Sequence, residues 1–150
     1  MVRQHHQRNV RLTAVAAVLV LGVTGLARAA GVPEMPVPLT QQPGDPANGL
    51  RLVLDFDKGD CVICHKMPIA GQPPDAFGDI GPDLTGIGSR LTVPQLRQRI
   101  VDPKALDPDT LMPAFYVTEG LTRVDPKFAG RPVLTAQEVE DVVAYLATLK

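Results

Sequence analysis

Five consecutive residues constrain this chain more than any others. Cys61-Val62-Ile63-Cys64-His65 brings two thiols and an imidazole together in one short stretch. The C-x-x-C-H order is the attachment signature of c-type haem. On a tight helical turn, two thiols at this spacing reach the two vinyl groups at one edge of a porphyrin. The next residue then turns its imidazole to the iron as proximal ligand. A chain built around such a group has to fold as a shell enclosing it.

The opening residues point to export. Arg3, Arg8 and Arg11 precede an apolar run from Leu12 to Leu26, interrupted only by Thr and Gly, and Ala27-Arg28-Ala29 has the small-x-small cleavage pattern of a secretory signal peptide. The run is shorter than the roughly 20 residues of a membrane-spanning helix, so cleavage near Ala29 or Ala30 is expected, with a retained N-terminal anchor as the alternative. The expected organisation is a signal peptide over 1–29, a proline-rich extended arm over 30–46 and one domain over 47–150. The mature protein is then exported, without a stable membrane anchor.

Cleavage removes four arginines, leaving 11 Lys plus Arg against 16 Asp plus Glu. A net charge of that sign argues against a nucleic-acid partner. His5 and His6 leave as well, so His65 is the only histidine and Cys61 and Cys64 the only cysteines of the mature chain. That inventory tests the other readings of the motif. Zinc requires four ligands, and no further Cys or His exists to complete the set. A thioredoxin-type pair belongs at a helix start beside a strand, whereas this motif lies between helical patterns. A disulfide between cysteines three apart is strained and leaves the adjacent histidine unexplained. The mature chain has no Trp and only six aromatic residues, a thin core that a flat apolar cofactor would complete.

With the histidine used, the usual sixth ligand is a methionine thioether. Met35 lies in the arm and Met67 follows His65 too closely to cross to the opposite face. Met112, followed by Pro113 in an irregular segment, is the candidate. The alternative is a core methionine, with the iron open or ligated by Lys. His/Met ligation closes both axial positions and favours electron transfer over ligand binding. In the Gly81-Pro82-Asp83-Leu84-Thr85-Gly86 loop, the Pro82 carbonyl is the expected acceptor for the free ring nitrogen of His65. Arg90, Arg97 and Arg99 are either propionate partners or solvated surface charges.

Pattern places three helices and no convincing strand. The first runs from Pro46 or Ala47 to about Asp57, with Leu50, Val53 and Leu54 on one buried face and Gly59 ending it. The second opens on a capping box at Thr92-Val93-Pro94-Gln95 and stops near Val101 before Asp102-Pro103. The third opens on Thr135-Ala136-Gln137-Glu138 and carries Val139, Val142, Val143, Leu146 and Leu149 as one stripe. Its natural partner is the Leu50/Val53/Leu54 face. The fold class is therefore all-α, helices with long loops around one haem.

From about Gly49 to Lys150 the chain resembles the class I cytochromes c, and within them the SoxX family. The resemblance rests on Gly59-Asp60-Cys61-Val62-Ile63-Cys64-His65-Lys66, the block from Gly81 to Gly88, Met112-Pro113-Ala114-Phe115-Tyr116 and Leu134-Thr135-Ala136-Gln137-Glu138-Val139. It implies one covalent haem c on Cys61 and Cys64, ligated by His65 and Met112, and a periplasmic heterodimer with a SoxA-like cytochrome. Such a pair joins thiosulfate to a cysteine of a SoxY-like carrier protein. The nucleophilic cysteine is expected on the SoxA-like subunit, so this chain has no catalytic residue of its own and passes electrons to a downstream cytochrome. Both cysteines here are needed for haem, which agrees with that division. The alternative is a free carrier delivering electrons to a terminal oxidase. Phe115-Tyr116-Val117 and the proline-rich arm are candidate partner contacts.

Overall fold

The computed structural model describes residues 33–150. The expected signal peptide lies outside them. Four α-helices follow in order: α1 (Pro46–Leu54), α2 (Ile87–Arg90), α3 (Val93–Val101) and α4 (Ala136–Thr148). Single 3-10 turns at Cys61–Ile63, Pro74–Ala76, Pro103–Ala105 and Pro126–Phe128 punctuate the connections, and among the described residues there is no strand.

The caps set the helix starts. At α3 the Gln95 N–H donates to Thr92 Oγ1 (3.4 Å) and the Thr92 N–H to Gln95 Oε1 (3.1 Å). At α4 the same reciprocal pair joins Glu138 and Thr135, at 3.3 and 2.8 Å. Each box satisfies two amides that helical geometry leaves without partners. The first helix starts on Asp45, whose carboxylate accepts from the Ala47 N–H, with Pro46 in its first turn. It ends at Leu54, about a turn before the expected Asp57. Asp55 is already extended and caps it, its N–H donating to the Leu52 carbonyl.

Helix α4 is the spine, with α1, α3 and α2 all packed on it. Its whole stripe, Val139, Val142, Val143, Leu146 and Leu149, is buried. On α1 the buried face is Gly49, Leu52 and Val53; Leu50 is half-buried and Leu54 exposed. The helices cross closely at Gly49, where a Cβ would lie 2.7 Å from Tyr145 Cβ and clash with the Asp141 carbonyl. Only glycine fits there.

The segment before α1 lies against the domain. The Met35 N–H donates to the Pro94 carbonyl (3.1 Å) and the Leu39 N–H to Glu140 Oε1 (2.8 Å). The Asp45 N–H donates to Asp141 Oδ1 (2.8 Å). Beneath it, Arg97 of α3 and Glu140 of α4 form a two-pronged ion pair at 2.7 and 2.9 Å, with the third guanidinium nitrogen on the Met35 carbonyl. Both side chains are buried, and such burial is tolerated only because every charge is paired and hydrogen-bonded. Arg97 is thus neither a surface charge nor a propionate partner. Among the described residues no buried side-chain nitrogen or oxygen lacks a partner, and no helix is long and apolar enough to cross a membrane.

Candidate haem site

The turn carrying the motif is locked from both sides. Before it, the Gly59 N–H donates to the Leu52 carbonyl (3.1 Å), drawing the chain back over the end of α1. Asp60 sits in the left-handed region at φ 42° and its N–H donates to the Asp55 carbonyl (3.0 Å). Within the turn the Cys64 N–H (3.2 Å) and the His65 N–H (2.9 Å) both reach the Cys61 carbonyl. Residues three apart eclipse one another in a 3-10 turn, which sets the Cys61 and Cys64 side chains on one side.

The loop 78–84 runs beside this turn. The Gly78 N–H donates to the Val62 carbonyl, the Gly81 N–H to the Cys64 carbonyl and the Leu84 N–H to the Lys66 carbonyl, at 2.8, 2.8 and 2.9 Å. Gly81 is packed against the imidazole; a Cβ there would stand 2.6 Å from His65 Nδ1 and 2.8 Å from Nε2. Nδ1 is 2.7 Å from the Pro82 carbonyl oxygen, the contact expected from the sequence. A carbonyl only accepts, so Nδ1 carries the hydrogen and Nε2 keeps a lone pair for a metal.

Both thiols are free and half-buried. Burial pushes the Cys61 thiol up to about 12, reinforced by the neighbouring Asp60 carboxylate. At neutral pH it is a thiol, unlike the low-pKa cysteine of a redox pair. A cleft of about 530 Å³ opens just past the motif, lined by Lys66, Met67, Ile69, Phe77 and Thr85 among others; neither cysteine, nor His65, nor Met112 lines it.

Met112 comes from a separate loop. The Phe115 and Val117 N–H groups donate to the Ile100 and Val101 carbonyls at the end of α3, and the Leu134 N–H to the Phe115 carbonyl. Lys104 Nζ donates to the Thr110 carbonyl (2.7 Å). Met112 is half-buried and packs on the same core cluster as Cys61. Met67 is committed to that core at 4% exposure, and Met35 is half-buried in the arm. Phe115 is buried too, so its side chain serves the core and is unavailable to a partner. The role of Gly81 against the imidazole went unread in the sequence, although its place directly before Pro82 is the signal that marks it.

These donors fit a covalent haem. Two free thiols share one side of a turn, the imidazole beside them has a committed Nδ1 and an open Nε2, and apolar side chains adjoining the site residues (Ile63, Ile80, Leu111) are exposed, as suits cover by a flat apolar group.

Comparison with known proteins agrees. The family profile described as Cytochrome c matches residues 48–150. The chain belongs to the cytochrome c family. As such it carries covalently bound haem c, and electron transfer is its chemistry. A solved structure, the crystal structure of SoxXA from P. pantotrophus, is similar at 40% identity and a TM-score of 0.68, over 78% of this chain and 90% of that one. This similarity supports the SoxX resemblance read from the sequence blocks. Comparison with curated proteins returned no match.

Proposed function

We propose that this cytochrome is the electron-accepting subunit of a SoxAX-type complex in the periplasm, paired with a SoxA-like subunit and delivered there by a cleaved signal peptide over 1–29. The haem is supported by the His65 imidazole, held by Pro82 with Nε2 free beside two free thiols, and the pairing by the 40% identity to the SoxXA structure. Cys61 and Cys64 would hold the haem through thioether links, and His65 Nε2 and the Met112 thioether would ligate its iron. Bound in this way, haem supplies a one-electron couple between ferric and ferrous iron.

The coupled chemistry is the oxidative joining of thiosulfate to a cysteine of a SoxY-like carrier. A sulfur–sulfur bond forms between the carrier thiol and the terminal sulfur of thiosulfate, the thiol proton is released and two electrons leave, one at a time, towards this chain. The chain's own residues do three things in that scheme. Pro82 and Gly81 hold the imidazole, the loop from Thr110 to Val117 brings Met112 to the domain with its backbone already hydrogen-bonded, and the bond from the Gly59 N–H to the Leu52 carbonyl ties the motif turn to α1. The nucleophile lies on the partner, because both thiols here are consumed in attachment.

The test is to isolate the protein under mild conditions from its own host grown on thiosulfate and identify what accompanies it. Stoichiometric co-elution with a larger cytochrome, and thiosulfonation of a cysteine-bearing carrier by the pair, is the expected result. Elution alone, with rapid electron exchange with an oxidase, would show a free carrier.

A further inference from the structure

We infer that Arg90 is a positioning residue for the His65 imidazole, acting through the loop that holds it. The guanidinium donates from one terminal nitrogen to the Asp83 carbonyl at 2.9 Å and from the other to the Thr85 carbonyl. Those carbonyls lie one and three residues after Pro82, whose own carbonyl takes the His65 Nδ1 hydrogen at 2.7 Å. Pro82 has no N–H and its φ is fixed by its ring, so the direction of its carbonyl depends on how the next peptide units are held. Thr85 N–H donating to Asp83 Oδ1 (2.8 Å) closes a tight turn between them, and Arg90 staples that turn from outside.

The anchor is firm at its other end. Arg90 closes α2, whose Gly88 N–H donates to the Leu149 carbonyl at 2.8 Å and whose Gly88 carbonyl accepts from Lys150 Nζ. A Cβ on Gly88 would stand 2.8 Å from the Leu146 carbonyl oxygen, so α2 lies directly on the end of α4. The path therefore runs from the spine of the fold through α2 and Arg90 to the Asp83–Thr85 turn, and through Pro82 to the imidazole. A planar guanidinium presents two parallel donors to two carbonyls; an ammonium carries the same charge without that fork.

This inference rests on His65 as an axial ligand. A hydrogen bond from Nδ1 to a well-aimed carbonyl makes the imidazole a stronger base, which favours the ferric form. Loosening the loop weakens that bond and raises the reduction potential. Arg90 acting merely as a nearby positive charge has the opposite sign, since removing a cation favours ferric iron and lowers the potential.

The experiment compares wild type, Arg90→Lys and Arg90→Met as holoproteins, reading the His65 Nδ1–H resonance and its solvent exchange in the reduced state, together with the reduction potential. Arg90 is exposed, so neither change opens a core cavity. The expected result is faster Nδ1–H exchange in both variants, by about tenfold, the scale of one weakened hydrogen bond, with a raised potential in Arg90→Lys, which loses the fork and keeps the charge. Arg90→Lys matching wild type in exchange and potential would overturn the inference, as would a lowered potential in Arg90→Met with exchange unchanged. A wild-type holoprotein whose His65 Nδ1–H exchanges freely would remove the Pro82 bond, and this inference with it, whereas a His65 ring without the haem-shifted resonances of an iron ligand would overturn the ligand assignment itself.

Discussion

His65 Nδ1 stands 2.7 Å from the Pro82 carbonyl oxygen, and Gly81 is packed against the same imidazole, leaving no room for a Cβ between them. The imidazole is therefore fixed in tautomer by one residue and in tilt by its neighbour. Gly81→Ala places a methyl 2.6 Å from Nδ1, which the ring cannot accept without turning. The expected cost is about 1–3 kcal/mol, the range of overpacking, read as a lowered urea midpoint of the holoprotein, together with a changed visible spectrum. An unchanged midpoint and spectrum would show that the loop yields freely.

The Arg97–Glu140 pair makes the second prediction. Arg97→Met leaves a buried carboxylate whose guanidinium partner is gone, and breaking a buried pair in this way costs about 3–5 kcal/mol. The Met35 carbonyl also loses its donor, so the arm should become open to limited proteolysis between residues 33 and 45. Arg97→Met combined with Glu140→Leu should regain much of the lost stability in the same denaturation assay, because the uncompensated charge is removed.

Asp141 gives a pH dependence with a definite sign. Burial alone would raise its pKa, but the Asp45 N–H, Gln137, Asn48 and the charge of Arg51 outweigh burial and hold the carboxyl below its ordinary value. Glu138 behaves likewise, through the Thr135 N–H and Lys58 set against burial. A group whose folded pKa is depressed contributes stability that is fully present above its unfolded pKa, about 4, and is lost as pH falls through the folded value. Urea midpoints should hold from neutral pH down to that range and then drop. Asp141→Asn should be weaker at pH 7 and show a shallower acid loss than wild type.

Met112→Ala tests the distal ligand. Loss of the thioether should open a coordination position, so the reduced variant should bind carbon monoxide where wild type does not, and its reduction potential should fall. Equal carbon monoxide binding by both proteins would remove Met112 from the iron.

The parts legible in the sequence were those set by local chemistry. Thr92/Gln95 and Thr135/Glu138 form capping boxes from side chains three apart, and both boxes are made. The motif carries its own spacing, and Pro82 lies where a carbonyl was needed. Features made by residues far apart in the chain were not legible. Arg97 sits among Gln95, Gln98 and Arg99 and looks like part of a solvated face, until Glu140, 43 positions away, and the arm close over it. The signal was on the other helix, where Glu140 and Asp141 interrupt an apolar stripe between Val139 and Val142. The end of α1 was misplaced because Asp55 takes an extended backbone and caps the helix four residues before the glycine expected to stop it.

The most direct test of the central claim is the intact mass of the mature, denatured protein purified from a host that matures c-type cytochromes, taken after treatment with a thiol-alkylating reagent. Cys61 and Cys64 as thioether links predict the polypeptide plus one haem, with neither cysteine alkylated. A polypeptide without haem that carries two alkylated cysteines would contradict the account.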